Sequence, residues 1–155
     1  MYTVSPAILE DAPTMLELQR RAFAEEGRRS GSQDIPPLTE LLDAVIEHIR
    51  NQTALVVRDN GKIIGAIRGI VEGRACTVRA LVVDPANQGQ GVGSALLDAL
   101  ERTVPDVARF DLTTSTVMEG NVPFYERRGY RVIEFTRHSA LVTLAQMTKT
   151  VDGNA

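Results

Sequence analysis

The chain has one cysteine, two histidines and no excess of basic residues, and each shortage removes a class of function. A single thiol, Cys76, cannot close an internal disulfide, and its place in an apolar, strand-like run marks it as core filler rather than a nucleophile. One cysteine and two histidines are also too few for a zinc-type centre, so no metal is expected. Lys and Arg total 17 against 20 Asp and Glu, a net charge of −3, which gives no footprint for nucleic acid or an anionic membrane. No apolar run approaches the roughly 20 residues that span a bilayer. The opening Met-Tyr-Thr-Val-Ser-Pro has neither the basic start nor the apolar centre of a signal peptide, so a cytoplasmic protein is expected. No repeat or low-complexity tract interrupts the 155 residues, and a hydrophobic content of 43% supports one domain over 1–155, with a frayed tail at 151–155.

What the chain does have is a stretch from Leu81 to Leu100 that organises the rest. An apolar run through Val83 is stopped by Asp84-Pro85, because proline cannot donate to a sheet ladder. Gly89, Gly91 and Gly93 follow, and then Val92, Ala95, Leu96, Ala99, Leu100 and Val104 recur at helical spacing. The stretch therefore reads as strand, glycine-rich turn and helix. The first N–H groups of such a helix have no internal acceptor and sit at the positive end of its macrodipole. Glycines there remove the side chains that would hold an anion away, so the turn is a candidate phosphate cradle. A Walker loop would need Gly-Lys-Ser/Thr at its end, and no lysine stands near Gly93. The dinucleotide fingerprint needs wider spacing before its last glycine than the alternating Gly89, Gly91 and Gly93 provide. A nucleotide-binding protein of either class is disfavoured.

Taken in order, Tyr2 to Ala7 reads as a first strand. Asp11 and Pro13 start a helix carrying Met15, Leu18, Ala22 and Phe23, and Gly27 is expected to end it. Arg28 to Pro37 reads as a polar loop. A second helix is expected to bury Leu38, Leu41, Leu42, Val45 and Ile49 on one face and to leave His48 at its rim. Ala54–Val57 and Ile63–Val71 flank Asp59-Asn60-Gly61-Lys62, a strong hairpin signal, and Ala75–Val83 makes a third antiparallel strand. After the central helix, Arg109–Thr114 reads as a strand. A short helix follows, capped by Asn121, with Pro123 in its first turn and Gly129 at its end. Tyr130–Thr136 and Leu141–Met147 close the chain. The order β-α-α-β-β-β-α-β-α-β-β gives an α/β (α+β) fold with a mixed sheet and helices on both faces.

Gln88, Gly91 and Gly93 match the pattern Gln/Arg-x-x-Gly-x-Gly/Ala, and Tyr125, Gly129 and Tyr130 match Tyr-x-x-x-Gly-Phe/Tyr farther along. Both motifs, in this order and on this layout, resemble the GNAT superfamily of acetyl-CoA-dependent N-acetyltransferases. The resemblance implies a GNAT-like sheet in which the strand before the glycine loop splays from the next one. It implies that acetyl-CoA is the co-substrate, with its diphosphate on Gln88, Gly89, Gln90, Gly91, Val92, Gly93 and Ser94. It also implies that the backbone of Leu81, Val82 and Val83 pairs with the pantetheine arm like an added strand, with an N–H polarising the thioester carbonyl. Asn121 would line the same arm. Tyr125 would be the catalytic acid that protonates the departing thiolate.

The family's glutamate base on the splayed strands has no counterpart, since those strands carry Thr77, Arg79, Thr113, Thr114 and Ser115. Glu72, Glu119, Glu134 and His138 are surface candidates, and no base is assigned. Acceptor recognition is expected from the first two helices, their connecting loop and the closing hairpin, with Glu25, Glu26, Asp34, Arg28 and Arg29 as a mixed charge set. The reading is direct acetyl transfer in a ternary complex to a small-molecule or peptide amine, by a protein that can form a homodimer. The alternative is a non-catalytic acyl-CoA-binding or sensing module of the same fold.

Overall fold

The computed structural model describes residues 2–32, 34–104 and 106–151. Apart from Val151, the expected frayed tail lies outside the described residues. Seven strands form one sheet: β1 Tyr2–Pro6, β2 Thr53–Asp59, β3 Lys62–Glu72, β4 Ala75–Val83, β5 Arg109–Ser115, β6 Arg131–Arg137 and β7 Thr143–Thr150. Their spatial order is β1-β2-β3-β4-β5-β7-β6, antiparallel throughout except for the parallel pair β4–β5. The helices are α1 Ala12–Ser30, α2 Pro36–Thr39, α3 Leu42–Asn51, α4 Val92–Thr103 and α5 Asn121–Glu126.

Strand alternation divides the core between two faces. On β2, Leu55 and Val57 join the cluster built on Val92, Leu96, Leu97 and Leu100 of α4, while Ala54 and Val56 join the cluster built on Met15 and Leu18 of α1. Cys76 is fully buried against α4, and burial pushes its thiol up to about 11, as befits core filler. The β2–β3 hairpin turns through Asn60 and Gly61, both at positive φ, as the Asn-Gly pair predicts.

Four local expectations are corrected. Gly27 does not end α1 but is buried within it. The helix closes at Gly31, left-handed at φ 77°, where Gly31 N–H bonds Arg28 O and Ser32 N–H bonds Gly27 O. The expected second helix is broken at Glu40, whose extended backbone (ψ 139°) separates α2 from α3 and leaves Leu41 70% exposed. His48 is buried rather than at the rim, its Nε2 lying 3.0 Å from Thr53 O. Burial first, then the charge of Arg68, holds its pKa below the ordinary value. Asn121 is the first helical residue of α5 and not its cap, and its amide donates to Ser115 O at 3.3 Å.

Candidate functional site

The site begins with a defect in β4. The pairs Ala66↔Val82 and Arg68↔Arg79 bracket a register shift, so Ala80 and Leu81 stand opposite Ile67 alone. Ala80 adopts φ 50°, a conformation that costs a non-glycine residue on the order of 1–3 kcal/mol and gathers at functional sites. The extra residue resets the alternation. Val78 before the bulge and Leu81 and Val83 after it all pack on the α4 side, while Val82 turns toward α1.

On its other edge, β4 pairs with β5 only at Ala75↔Arg109, Cys76↔Phe110 and Thr77↔Asp111. Beyond Thr77 the two strands part, as the resemblance implies. A cleft of about 480 Å³ opens between Val78–Val83 on one side and Leu112–Ser115 on the other. Leu81, Val82, Val83, Gln88, Asn121 and Tyr125 all line it, so six of the residues singled out in the sequence share one groove. The edge of β4 along that stretch is free to accept an added strand.

The glycine turn follows directly. Asp84 is buried, accepts from Ala86 N–H at 3.0 Å and pairs with Arg21 of α1 at 3.1 Å, which ties the turn to the first helix. The backbone hydrogen bond from Ala86, aided by Arg21, holds its carboxyl below the usual carboxylate range despite burial. Gly89 and Gly91 are left-handed at φ 79° and 80°, and a Cβ on Gly89 would meet nothing within 4 Å. Ala95 N–H is the first in α4 to bond back, to Gly91 O at 3.0 Å, so the preceding amides are left without helical acceptors. The Val92 side chain is core, leaving only its backbone for a ligand, and Gln90 accepts from Asn87 at 3.4 Å. Gly93 packs against Phe124 and Val83.

Two cationic side chains add to this arrangement without a signal in either motif. Arg128 donates to Ser94 Oγ through Nε (3.0 Å) and Nη2, and its guanidinium lies 5.2 Å from the centre of the Phe124 ring. It sets a positive charge beside the start of α4. Arg79, exposed on β4, lines the cleft with no ion pair among the described residues. The other arginine lining the cleft, Arg68, is buried and bound to Glu40 at 2.5 and 3.0 Å and to Gln19 at 3.0 Å. Burial works against the Glu40 carboxylate, but the hydrogen bonds from Arg68 and Gln19 outweigh it and keep the group ionised. Fold contacts therefore saturate that pair.

The two tyrosines of the second motif separate clearly. Tyr130 is buried and donates to Glu101 Oε2 at 2.8 Å, a structural bond. Tyr125 packs edge-on against Phe124 and Tyr130, with ring centres 5.1 and 5.8 Å away, yet its hydroxyl bonds no described residue. Burial, and then the charge of Glu26, raises its pKa well above that of an ordinary phenol, so it stays protonated.

Of the mixed charge set, Arg28 and Arg29 both pair with Glu25, and Asp34 is exposed. Only Glu26 lines the cleft. Glu72, Glu119, Glu134 and His138 do not.

A mixed sheet divided by a splayed parallel pair, with a glycine-rich helix start at its mouth, is the architecture of an acyl-CoA-dependent transferase of the GNAT class. The chain belongs to that family: its residues 21–151 match the acetyltransferase (GNAT) domain. It is 30% identical over 135 residues to the S-(2-succino)cysteine N-acetyltransferase of Bacillus subtilis, covering 80% of this chain and 81% of that protein. The fold is shared with yncA of Salmonella typhimurium, solved with its cofactor acetyl-CoA (TM-score 0.78, 18% identity, 100% and 96% of the two chains). It is also shared with the PaiA N-acetyltransferase of Thermoplasma acidophilum in complex with coenzyme A (TM-score 0.75, 18% identity, 97% and 99%).

Proposed function

We propose that the protein is an N-acetyltransferase that moves the acetyl group of acetyl-CoA directly to a primary amine, with both substrates held together in the β4–β5 cleft. One observation carries this reading. A single groove brings together an unpaired strand edge, Gln88 at the foot of a glycine-rich helix start, and a phenol that bonds no described residue. The N–H groups of Gln88–Ser94, with Arg128 beside Ser94, suit a diphosphate. The backbone of Leu81 and Val83 suits the amides of a pantetheine arm, and Asn121 stands at the opposite wall. A strand N–H polarises the thioester carbonyl. Tyr125, protonated at any physiological pH, then gives its proton to the sulfur as the C–S bond breaks and the C–N bond forms.

The acceptor we infer is an amine that also carries a carboxylate. Arg79 lines the cleft with no ion pair or side-chain hydrogen bond among the described residues, its charge felt by Glu40, and the Bacillus subtilis relative is named for an amino acid with further carboxylates. Thiol release from acetyl-CoA, measured across simple alkylamines, amino acids and S-(2-succino)cysteine, tests both statements. Turnover is expected with the carboxylate-bearing amines, and Arg79→Ala is expected to raise their KM about tenfold or more while sparing any alkylamine that reacts. Coenzyme A binding without turnover on any amine would instead favour the non-catalytic module.

A further inference from the structure

Glu26 stands out among the charged residues lining the cleft because, among the described residues, it has the Asn121 amide beside it but no cation. It lies in the last turns of α1, partly buried, and lines the cleft together with Tyr125 and Asn121. Its neighbour Glu25 takes both nearby cations of α1, Arg28 and Arg29, so Glu26 has no ion pair among the described residues. Among the described residues the only other acid lining the cleft is Glu40, both of whose carboxylate oxygens accept from Arg68. The strand positions flanking the cleft offer Thr77, Thr113, Thr114 and Ser115, whose hydroxyls are not bases at neutral pH.

We propose that Glu26 is the carboxylate that receives the acceptor: it pairs with the incoming ammonium and takes its proton, so that a neutral amine attacks the thioester. This rests on the acetyltransferase reading given above. The placement is the argument. Glu26 acts electrostatically on the Tyr125 phenol and bonds Asn121, one turn before Tyr125 on α5, so the carboxylate and the phenol line the same stretch of the cleft where β4 and β5 have separated. An amine bound at that stretch has a base supplied by α1 and an acid supplied by α5 beside it, the division of labour that direct transfer requires.

The protons balance. The ammonium's proton passes to Glu26 and from there to solvent. The C–N bond forms as C–S breaks, Tyr125 protonates the sulfur, and the proton shed by the new amide nitrogen returns to Tyr125 through water. Burial raises the Glu26 carboxyl above the usual carboxylate range, and the Asn121 amide beside it partly opposes that shift. The ionisable group that acts on it is Tyr125 from α5, which stays neutral, while Arg79 from β4 lines the same cleft and acts on Glu40. The Arg68–Glu40 pair beyond cancels its own charge.

Glu26→Gln and Glu26→Asp test the assignment on the full chain with the acceptor found in the amine panel. The glutamine variant should lose about 10²–10⁴-fold in kcat/KM at neutral pH, and aspartate should restore part of it. The wild-type rate should fall toward acid through a step above the ordinary carboxylate range, and that step should vanish in Glu26→Gln. Acetyl-CoA affinity should stay within about twofold. Melting of Glu26→Gln at neutral pH should not drop, because a partly buried carboxylate without an ion pair among the described residues gives way to a neutral amide that can still accept from Asn121. A glutamine variant with the wild-type rate and pH profile overturns the proposal and leaves the acetyltransferase reading intact. A wild type that neither binds coenzyme A nor releases its thiol overturns that reading, and the role of Glu26 with it.

Discussion

Tyr125 and Tyr130 sit five residues apart, have the same side chain, and are used in opposite ways. Tyr130 spends its hydroxyl on Glu101, which also accepts from Lys149 at 2.7 Å, so this phenol, like its ring, belongs to the core. Tyr125 contributes its ring to the same aromatic cluster and leaves its hydroxyl to the cleft. Tyr125→Phe therefore removes no hydrogen bond to a described residue. Its melting temperature and acetyl-CoA affinity should match the wild type, while kcat should fall about 10²–10⁴-fold if the phenol protonates the thiolate. A loss of stability of about 0.5–1.5 kcal/mol with an unchanged rate would mark a structural hydroxyl instead. Because burial and Glu26 both raise this phenol, its ionisation should not limit the rate on the alkaline side up to pH 9, a second check in the same assay.

At the scale of the element, the start of α4 is a backbone device, and side-chain truncation alone would test it poorly. Gly89 and Gly91 are both left-handed, so ordinary substitutions there mix strain with any effect on a ligand. Asn and Asp tolerate that conformation best, and a Cβ at Gly89 has open space around it. Gly89→Asn and Gly89→Asp should therefore share one small strain cost and differ by one negative charge. Calorimetry should show a modest loss of coenzyme A affinity for asparagine and a loss at least tenfold larger for aspartate. Equal affinities would take the diphosphate off this turn. The α1–α2 segment works by the opposite principle. Gln19 donates to Glu40 Oε1 at 2.9 Å and to Pro37 O at 3.0 Å, and Arg68 reaches up from β3 to grip both Gln19 and Glu40. Removing one member of such a buried pair typically costs about 3–5 kcal/mol, so this wall of the cleft is fixed and not adaptable.

For the whole molecule, the cleft is where the sheet is interrupted, and a ligand that fills it bridges the two halves. Coenzyme A should bind the native state and not the unfolded chain. At about a hundred times its dissociation constant it should add roughly 2.7 kcal/mol, raising the melting temperature. NAD or ATP at the same concentration should raise it much less, since neither has an arm to pair with Leu81–Val83. A larger shift with NAD or ATP would favour a nucleotide site over a pantetheine groove. The far edge of the sheet is uncovered: Ile133 and Phe135 of β6 are 57% and 60% exposed.

The chain's own pattern determined the order of elements, the mixed sheet and the place of the glycine turn, because strand alternation, helical spacing and turn chemistry are local properties. Val92, Leu96 and Leu100 were legible as a buried face, and Asn60-Gly61 as a turn, for that reason. Gly27 reads in the sequence as the end of α1, but the helix carries it inside as a buried residue and closes at Gly31, an outcome that packing decided and local pattern did not. The expected second helix is interrupted at Glu40, whose carboxylate is held by Arg68, 28 residues away, a contact that no local pattern announces. The site divides along the same line. Tyr125 and the glycines are carried by motifs, but Glu26, Arg79 and Arg128 come from three elements that meet only in the folded chain. Nothing near Glu26 in the sequence tells it from Glu25. A turn of helix aims one at two arginines and the other at the cleft, and that choice belongs to the tertiary structure.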